Sequence, residues 1–354
     1  MESIEKKINE TRNSLKTERL DMTFGEVIRM YEEKEIIIDP EYQRLFRWDS
    51  TKQTKFIESL LLGIPIPPIF VVEQKGTWEL VDGLQRISTV LSFCGFLEYN
   101  NEKNIDSNSS QKNNWKLEKG DLIEDIENLT YNEMSKELQF IIKRYVCRVE
   151  VIKSNSEYDM RYELFNRLNT GGAILTNQEI RNCIFRAVSP DFNDFINEEG
   201  RKRGFIDLID LPARKKDEMF LEELVLRFCS LYNNADNIQH SITQHMTEFM
   251  KNTVGGDEKI AELKEVWRKT INLLETQDRE IFRARRGVFS TVLYDGITVG
   301  LAQNIYNYID NPEKLTEKIE ELKNNQEFKK GIGKLHSKDN LKRRLKLSDK
   351  IFKD

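Results

Sequence analysis

Apolar residues recur at two different periods along this chain, and the change of period divides it. Over Thr23–Glu33, Phe24, Val27, Ile28 and Tyr31 fall three or four apart, so a short helix with those side chains inward is expected. EIIID at 35–39 is a β-branched run closed by Pro40, which reads as a strand. Phe56, Ile57, Leu60 and Leu61 restore the helical period; Ser50 with Gln53 has the capping-box spacing for its start and Gly63 stops it. Pro65, Pro67 and Pro68 then hold the backbone extended into two strands, Ile69–Glu73 and Trp78–Val81, with a turn at Gln74–Thr77. Leu84, Ile87, Val90, Leu91 and Cys94 give the next helix, with Asp82 and Gln85 spaced as its capping box. Beyond it come a helix over Met134–Ile142 and an alternating strand over 145–152. Residues 1–20 read as a solvated helix or a loose arm, and the Asn- and Ser-rich stretch Tyr99–Gln111 as an exposed loop.

From Glu157 onward the strand signal nearly vanishes. Leu164, Phe165 and Leu168 share a helix that NTGG breaks, and Thr176 with Glu179 opens the next as another capping box. Further helices are expected around 190–199, 217–232, 240–252, 257–275, 288–309, 312–324 and 338–352. The expected fold class is therefore α+β, with an α/β domain at 1–153 and an all-helical domain at 154–354.

Composition narrows the function more than the fold. With 38% hydrophobic and 32% charged residues and no apolar run near the roughly 18–20 residues of a membrane span, a soluble cytoplasmic protein is expected. The charged N-terminus has no signal-peptide core. A net charge of −5 excludes a surface that is basic throughout, while leaving room for local phosphate-binding patches. Cys94, Cys147, Cys183 and Cys229 sit apart in apolar stretches, the pattern of buried thiols rather than of a zinc site or disulfides. Three histidines, none in a metal-ligand spacing, argue against a histidine-rich centre.

The candidate chemistry concentrates in VDGLQR, residues 81–86. A strand feeding a glycine turn and a helix start presents unpaired backbone N–H groups, a natural anion site. Arg86 stands in the first turn, where a cation opposes the helix dipole. A phosphate bound there, helped by Ser88 or Thr89, would reverse that penalty; the bland alternative is a capped helix whose arginine reaches solvent or a carboxylate. In YQRLFRW, residues 42–48, Arg44 and Arg47 alternate with aromatic residues, a composition suited either to phosphate and base contact or to a core plug with surface salt bridges. Asn166, Arg167 and Asn169 before Gly171 and Gly172 are a third candidate, with a plain interhelical linker as its counterpart. Glu73 and Lys75 have the carboxylate–lysine spacing of a metal-dependent nuclease, but the same spacing recurs elsewhere in this Glu- and Lys-rich chain. The basic clusters at 282–287 (Arg283, Arg285, Arg286) and 334–347 (Lys342, Arg343, Arg344) could each track a nucleic-acid backbone or simply be solvated helix faces.

Taken in order, IIIDPEYQRLFRW, LLLGIPIPPIFV, ELVDGLQRISTVLSF and LFNRLNTGGAILTNQEIRN closely resemble the N-terminal domain family of GmrSD-type restriction endonucleases, related in fold to ParB and sulfiredoxin. The similarity covers at least residues 23–185, and 213–228 resembles the family's later Arg…Asp-Glu…Leu-Arg helix. The resemblance implies a ParB/sulfiredoxin-like domain in a bacterial restriction or anti-phage component, whose DGQQR motif is associated with binding and hydrolysis of a nucleoside triphosphate. Carried onto this chain, Asp82, Gly83, Gln85 and Arg86 match that motif, Gln43 and Arg44 the family's YQR, and Asn169, Gly172 and Glu179 the later Asn–Gly–acid pattern. One position departs: the motif's first glutamine is Leu84 here, which cannot hydrogen-bond a nucleotide and excludes thiol-redox chemistry at that place.

The expected mechanism places phosphates against Gly83 and the helix N-terminus, with Arg86 neutralising them and Gln85 and Gln43 orienting phosphate or water. Asp82 either caps the helix or holds Mg²⁺, and Asp82 or Glu179 is the only visible general base. Complete GmrSD-type enzymes add an HNH nuclease, for which this chain lacks the length and histidines, so a separate nuclease partner acting on DNA is expected. The rival readings are a metal-dependent DNA nuclease in its own right and a non-catalytic DNA-binding or regulatory subunit.

Overall fold

The computed structural model describes residues 3–14, 16–38, 48–74, 76–98, 113–153, 164, 167, 176–186, 189–212, 215, 218–253, 255–284, 287–330 and 338–354. The expected loop at 99–111 and the short helix around 164–168 fall almost wholly outside these residues. The chain forms two compact units, Met1–Arg161 and Tyr162–Asp354.

In the first unit, α1 (Ile4–Ser14) buries none of its side chains, in keeping with a solvated helix. Residues Thr17–Thr23 are not a loose arm but an edge strand, β1, paired antiparallel with β5 (Val146–Ile152) from Thr17 opposite Ile152 to Thr23 opposite Val146. The sequence hid this strand because TERLDMT lies largely exposed on the sheet edge, with no buried alternation to read. Thr23 then caps α2 (Phe24–Glu32) in a full capping box with Glu26, and Phe24, Val27, Ile28 and Tyr31 go inward as their spacing requires.

The remaining elements are β2 (Ile36–Ile37), α3 (Ser50–Leu61), β3 (Ile69–Gln74), β4 (Thr77–Asp82), α4 (Leu84–Cys94) and α5 (Lys136–Arg144). The mixed five-stranded sheet runs in the order β1-β5-β3-β4-β2, with β5/β3 and β4/β2 parallel and the other pairs antiparallel. Val71, flanked by Val151 on one side and Leu80 on the other, lies in a band of apolar residues that is 0–2% exposed. The helix α3 begins one residue earlier than its capping-box spacing implied: Asp49 is the N-cap and accepts from the Lys52 amide at 2.8 Å, so Ser50 and Gln53 are not a cap pair. Aspartate and serine compete on nearly equal terms as caps, and here the extended backbone falls on Asp49.

Among the described residues the second unit contains helices and one isolated bridge, Arg283 to Phe289. They are α6 (Asn177–Phe185), α7 (Pro190–Gly200), α8 (Arg203–Ile209), α9 (Phe220–Leu231), α10 (Ile242–Thr253), α11 (Asp257–Leu274), α12 (Thr291–Gln303), α13 (Pro312–Asn324), α14 (Gln326–Lys329) and α15 (Lys338–Lys353). The capping box of Thr176 and Glu179 is formed as expected. The helix α8 was not foreseen, since its seven residues are too short for a helical period to stand out. Trp267, fully buried, packs edge-on against Phe205 and Phe228 and donates its indole N–H to the Glu199 carboxylate. No helix is long and apolar enough to cross a membrane among the described residues.

Candidate functional site

The hairpin of β3 and β4 delivers Asp82 to the end of β4, and one residue turns the chain into α4. That residue is Gly83, at φ +100°. Only glycine suits it, because the left-handed backbone penalises a side chain and a Cβ would sit 3.0 Å from the Ile69 side chain. Gly83 is also the N-cap, so α4 starts with no side-chain cap at all. The expected Asp82–Gln85 capping box is therefore not formed: Asp82 still belongs to the strand, one residue too early to cap.

Its carboxylate does something else. Arg86 curls back from the first turn and places Nη2 2.9 Å from Asp82 Oδ2 and 3.0 Å from the carbonyl oxygen of Pro68. The cation that opposed the helix dipole is thus balanced from within the turn. The two partners are unequally accessible: the Arg86 side chain is 12% exposed and that of Asp82 47%. Arg86 Nε is buried without a hydrogen-bond partner, as is the hydroxyl of Ser88 one turn in. A guanidinium nitrogen left unmet in this way is costly unless a ligand or water reaches it. Thr89 turns its hydroxyl back onto the Gln85 carbonyl at 2.6 Å, a bond within the helix.

Gln85 is 8% exposed, and its Oε1 accepts the backbone N–H of Trp48 at 3.0 Å. From the other side Gln53 donates Nε2 to the Trp48 carbonyl at 2.8 Å, and the Trp48 ring meets Phe56 edge-on. Two glutamines from two helices thus clamp one residue directly after the YQRLFR stretch. The Gln85 carbonyl oxygen is thus engaged by a backbone amide and helps to position the chain at Trp48. Gln43, Arg44 and Arg47 lie outside the described residues, as do Asn169, Gly172, Lys75, Arg285 and Arg286. Leu84 is 6% exposed and packs inward.

Other expected residues are placed elsewhere. Glu179 is fully buried and its carboxylate accepts the Thr176 amide at 2.6 Å, the second half of the capping box. Arg344 is 2% exposed and donates to the carbonyls of Phe328 and Lys330, so it faces the interior and not a nucleic acid. Arg283, with its side chain 11% exposed, is tied to Asp210 and to the carbonyls of Ile209 and Asp210. Lys342 donates to the backbone oxygen of Asp236, and Arg343 to those of Glu327 and Lys330. Glu73 pairs with Lys153 at 3.4 Å. Among the described residues no group of three or more His, Cys, Asp or Glu converges as a metal cage. A lone half-exposed carboxylate such as Asp82 suits a Mg²⁺ ion carried mainly by phosphates, which needs only one or two protein carboxylates.

One residue escaped notice in the sequence. Glu79, half-buried in β4 opposite Val72 and Ile37, has its carboxyl pushed up to about 7 by burial. The signal was present as a lone acid inside the apolar run WELV.

Residues 25–186 match the family model described as GmrSD restriction endonuclease, N-terminal domain. No curated protein and no solved structure matches the chain.

Proposed function

Residues 25–186 belong to the GmrSD restriction endonuclease N-terminal domain family, and from that premise we propose that this protein is a DNA-directed restriction or anti-phage component that binds a nucleoside triphosphate at the Asp82–Arg86 turn. The mixed sheet with this turn at the end of β4 is in keeping with the ParB/sulfiredoxin-like fold that the motifs resemble, and we include that fold in the reading. The observation that carries it is the turn itself: an uncapped helix N-terminus, a left-handed glycine, and a mostly buried guanidinium with Nε unmet, all within five residues.

In this reading the Asp82–Arg86 pair is the resting arrangement. An incoming polyphosphate competes for Arg86 and takes the first-turn amides of α4. The released Asp82 carboxylate, the more accessible partner, then holds Mg²⁺ against the phosphates. Gln43 and Arg44 would reach the same phosphates from the stretch that Gln85 and Gln53 anchor at Trp48.

A second reading keeps the nucleotide and drops the turnover. Leu84 packs inward and cannot orient an attacking water, and the Gln85 carbonyl oxygen is already engaged by the Trp48 amide. The nucleotide then serves as a signal to a nuclease carried by a partner. Release of inorganic phosphate separates the two readings.

The central claim is tested by calorimetric titration of Mg²⁺·NTP into the wild-type chain, Arg86→Ala and Asp82→Asn. Charge-assisted bonds are worth about 1.5–3 kcal/mol, so Arg86→Ala is expected to weaken binding about tenfold to a hundredfold. Asp82→Asn is expected to lose the Mg²⁺ dependence while binding metal-free triphosphate at least as tightly as wild type. Equal affinity in wild type and a folded Arg86→Ala protein removes the site.

A further inference from the structure

The sheet of the first unit ends on one side in β1, and that edge is open. Among the described residues no strand pairs beyond it. Thr17, Glu18, Arg19 and Asp21 are exposed, and α1 just before them buries none of its own side chains. Proteins usually blunt such edges with shortness, proline or a bulge, because the free N–H and C=O groups template another strand. The opposite edge strand, β2, is two residues long. β1 has seven, contains no proline and keeps one unbroken register with β5.

The ladder shows which backbone groups are free. The Lys153 amide donates to the Lys16 carbonyl and the Phe24 amide to that of Tyr145, so both are hydrogen-bonded pairs. Such pairs alternate along an antiparallel ladder. Glu18, Leu20 and Met22 therefore bond to β5, whereas Thr17, Arg19 and Asp21 turn their N–H and C=O groups outward.

The side chains of the same residues carry a pattern. Arg19 lies opposite Glu150 and donates to it at 3.2 Å, and Asp21 lies opposite Arg148 and accepts from it at 3.3 Å. Arg19 and Asp21 flank Leu20 symmetrically. A second β1 laid antiparallel about Leu20 sets Arg19 opposite Asp21 twice over, and all four residues have outward backbone groups. Signs then alternate across the junction without a break: Glu150, Arg19, the second copy's Asp21 and its Arg148. Half-buried Leu20, on the Val149 face, meets its own counterpart. A shift of two residues in either direction sets Arg19 against Arg19 or Asp21 against Asp21, and like charges directly opposite destabilise a pair. A shift of one sets outward groups against groups already bonded to β5.

We propose that β1 is a homodimerisation strand: two copies of this chain pair β1 to β1, antiparallel and centred on Leu20, and join their sheets into one. The contact is isologous, so a single two-fold axis closes it. It uses none of residues 82–86 and stands whether or not a nucleotide binds there. The bland alternative, charges that guard an edge against aggregation, explains why Arg19 and Asp21 are charged. It does not explain a sign pattern that suits a second copy in one register.

The test uses the full chain. Sedimentation velocity over a range of protein concentrations is expected to show a monomer–dimer equilibrium that weakens with added salt, since the paired charges are exposed. Arg19→Asp and Asp21→Arg each place like charges opposite one another and are expected to weaken self-association about tenfold. Mixing the two variants restores opposite charges at both pairs, so a heterodimer of about wild-type affinity is expected; its appearance also shows that both variants fold. Leu20→Cys is expected to form a disulfide-linked dimer on mild oxidation, because directly opposed residues of a non-hydrogen-bonded pair lie about 4.5 Å apart at Cα. Arg19→Cys, whose counterpart lies diagonally across, is expected not to. A chain that stays monomeric up to the highest concentration it tolerates overturns the proposal. So does a dimer that survives both charge reversals and leaves Leu20→Cys unlinked, which would place the interface elsewhere.

Discussion

Glu79 shows how one side chain carries a consequence for the whole unit. Its carboxyl titrates near 7 in the folded chain and near 4.5 when unfolded, because the sheet around it disfavours the charged form. Between those two values the unfolded state sheds its proton first, so stability falls as pH rises from about 4.5 to about 7 and then levels off. Glu79→Gln is expected to be about 1–3 kcal/mol more stable than wild type at pH 8 and indistinguishable from it at pH 4. Urea unfolding at both pH values measures this, and equal stability of the two proteins at pH 8 would show that the fold does not disfavour the charged Glu79 carboxylate. Arg86 illustrates the limit of reading residues one at a time. Its awkward place at a helix N-terminus was evident from the sequence, whereas the partner that balances it, Asp82, and the Pro68 carbonyl that shares it emerged only with the turn closed.

At the scale of elements, caps decided where helices start, and the sequence placed them unevenly. Thr23 with Glu26 and Thr176 with Glu179 were both readable, the first as a helix boundary and the second as a capping box, because nothing nearby competes for the role. At α3 two candidates stand side by side, and Asp49 holds the cap while the Ser50 hydroxyl turns to Glu118. Asp49→Ala is accordingly expected to cost about 1 kcal/mol, whereas Gln53→Ala should loosen Trp48 without fraying the helix. Thermal melts with amide exchange over the first turn of α3 distinguish the two; protection lost in Gln53→Ala and kept in Asp49→Ala would reverse the assignment. The edge strand β1 was missed for a different reason. Its pairing partner β5 lies more than a hundred residues away, and an edge strand's side chains need not alternate between core and water.

For the whole molecule, the buried thiols report on each unit separately. Cys94 and Cys147 belong to the sheet unit and Cys229 to the helical one, and all three are free and buried. Burial pushes Cys94 and Cys147 up to about 12 and raises Cys229 as well, so none offers a reactive thiolate in the folded state. Alkylation in increasing urea, mapped by mass spectrometry, is expected to label Cys94 and Cys147 at one common midpoint, since α4 and β5 share a core. Separate midpoints for those two would mean that the sheet unit does not unfold as one body.

The sequence by itself determined the period of each buried helix and strand, the change from mixed to helical architecture, and the family to which residues 25–186 belong. Those features depend on spacing between near neighbours, which a linear pattern records. Tertiary structure alone decided which side chains share a charge or a backbone group. Gln85 is on Trp48, Arg86 on Asp82 and Pro68, and Arg344 beside the Arg227–Asp295 pair because folding brings distant segments within a few ångströms, and electrostatic balance is settled at that range.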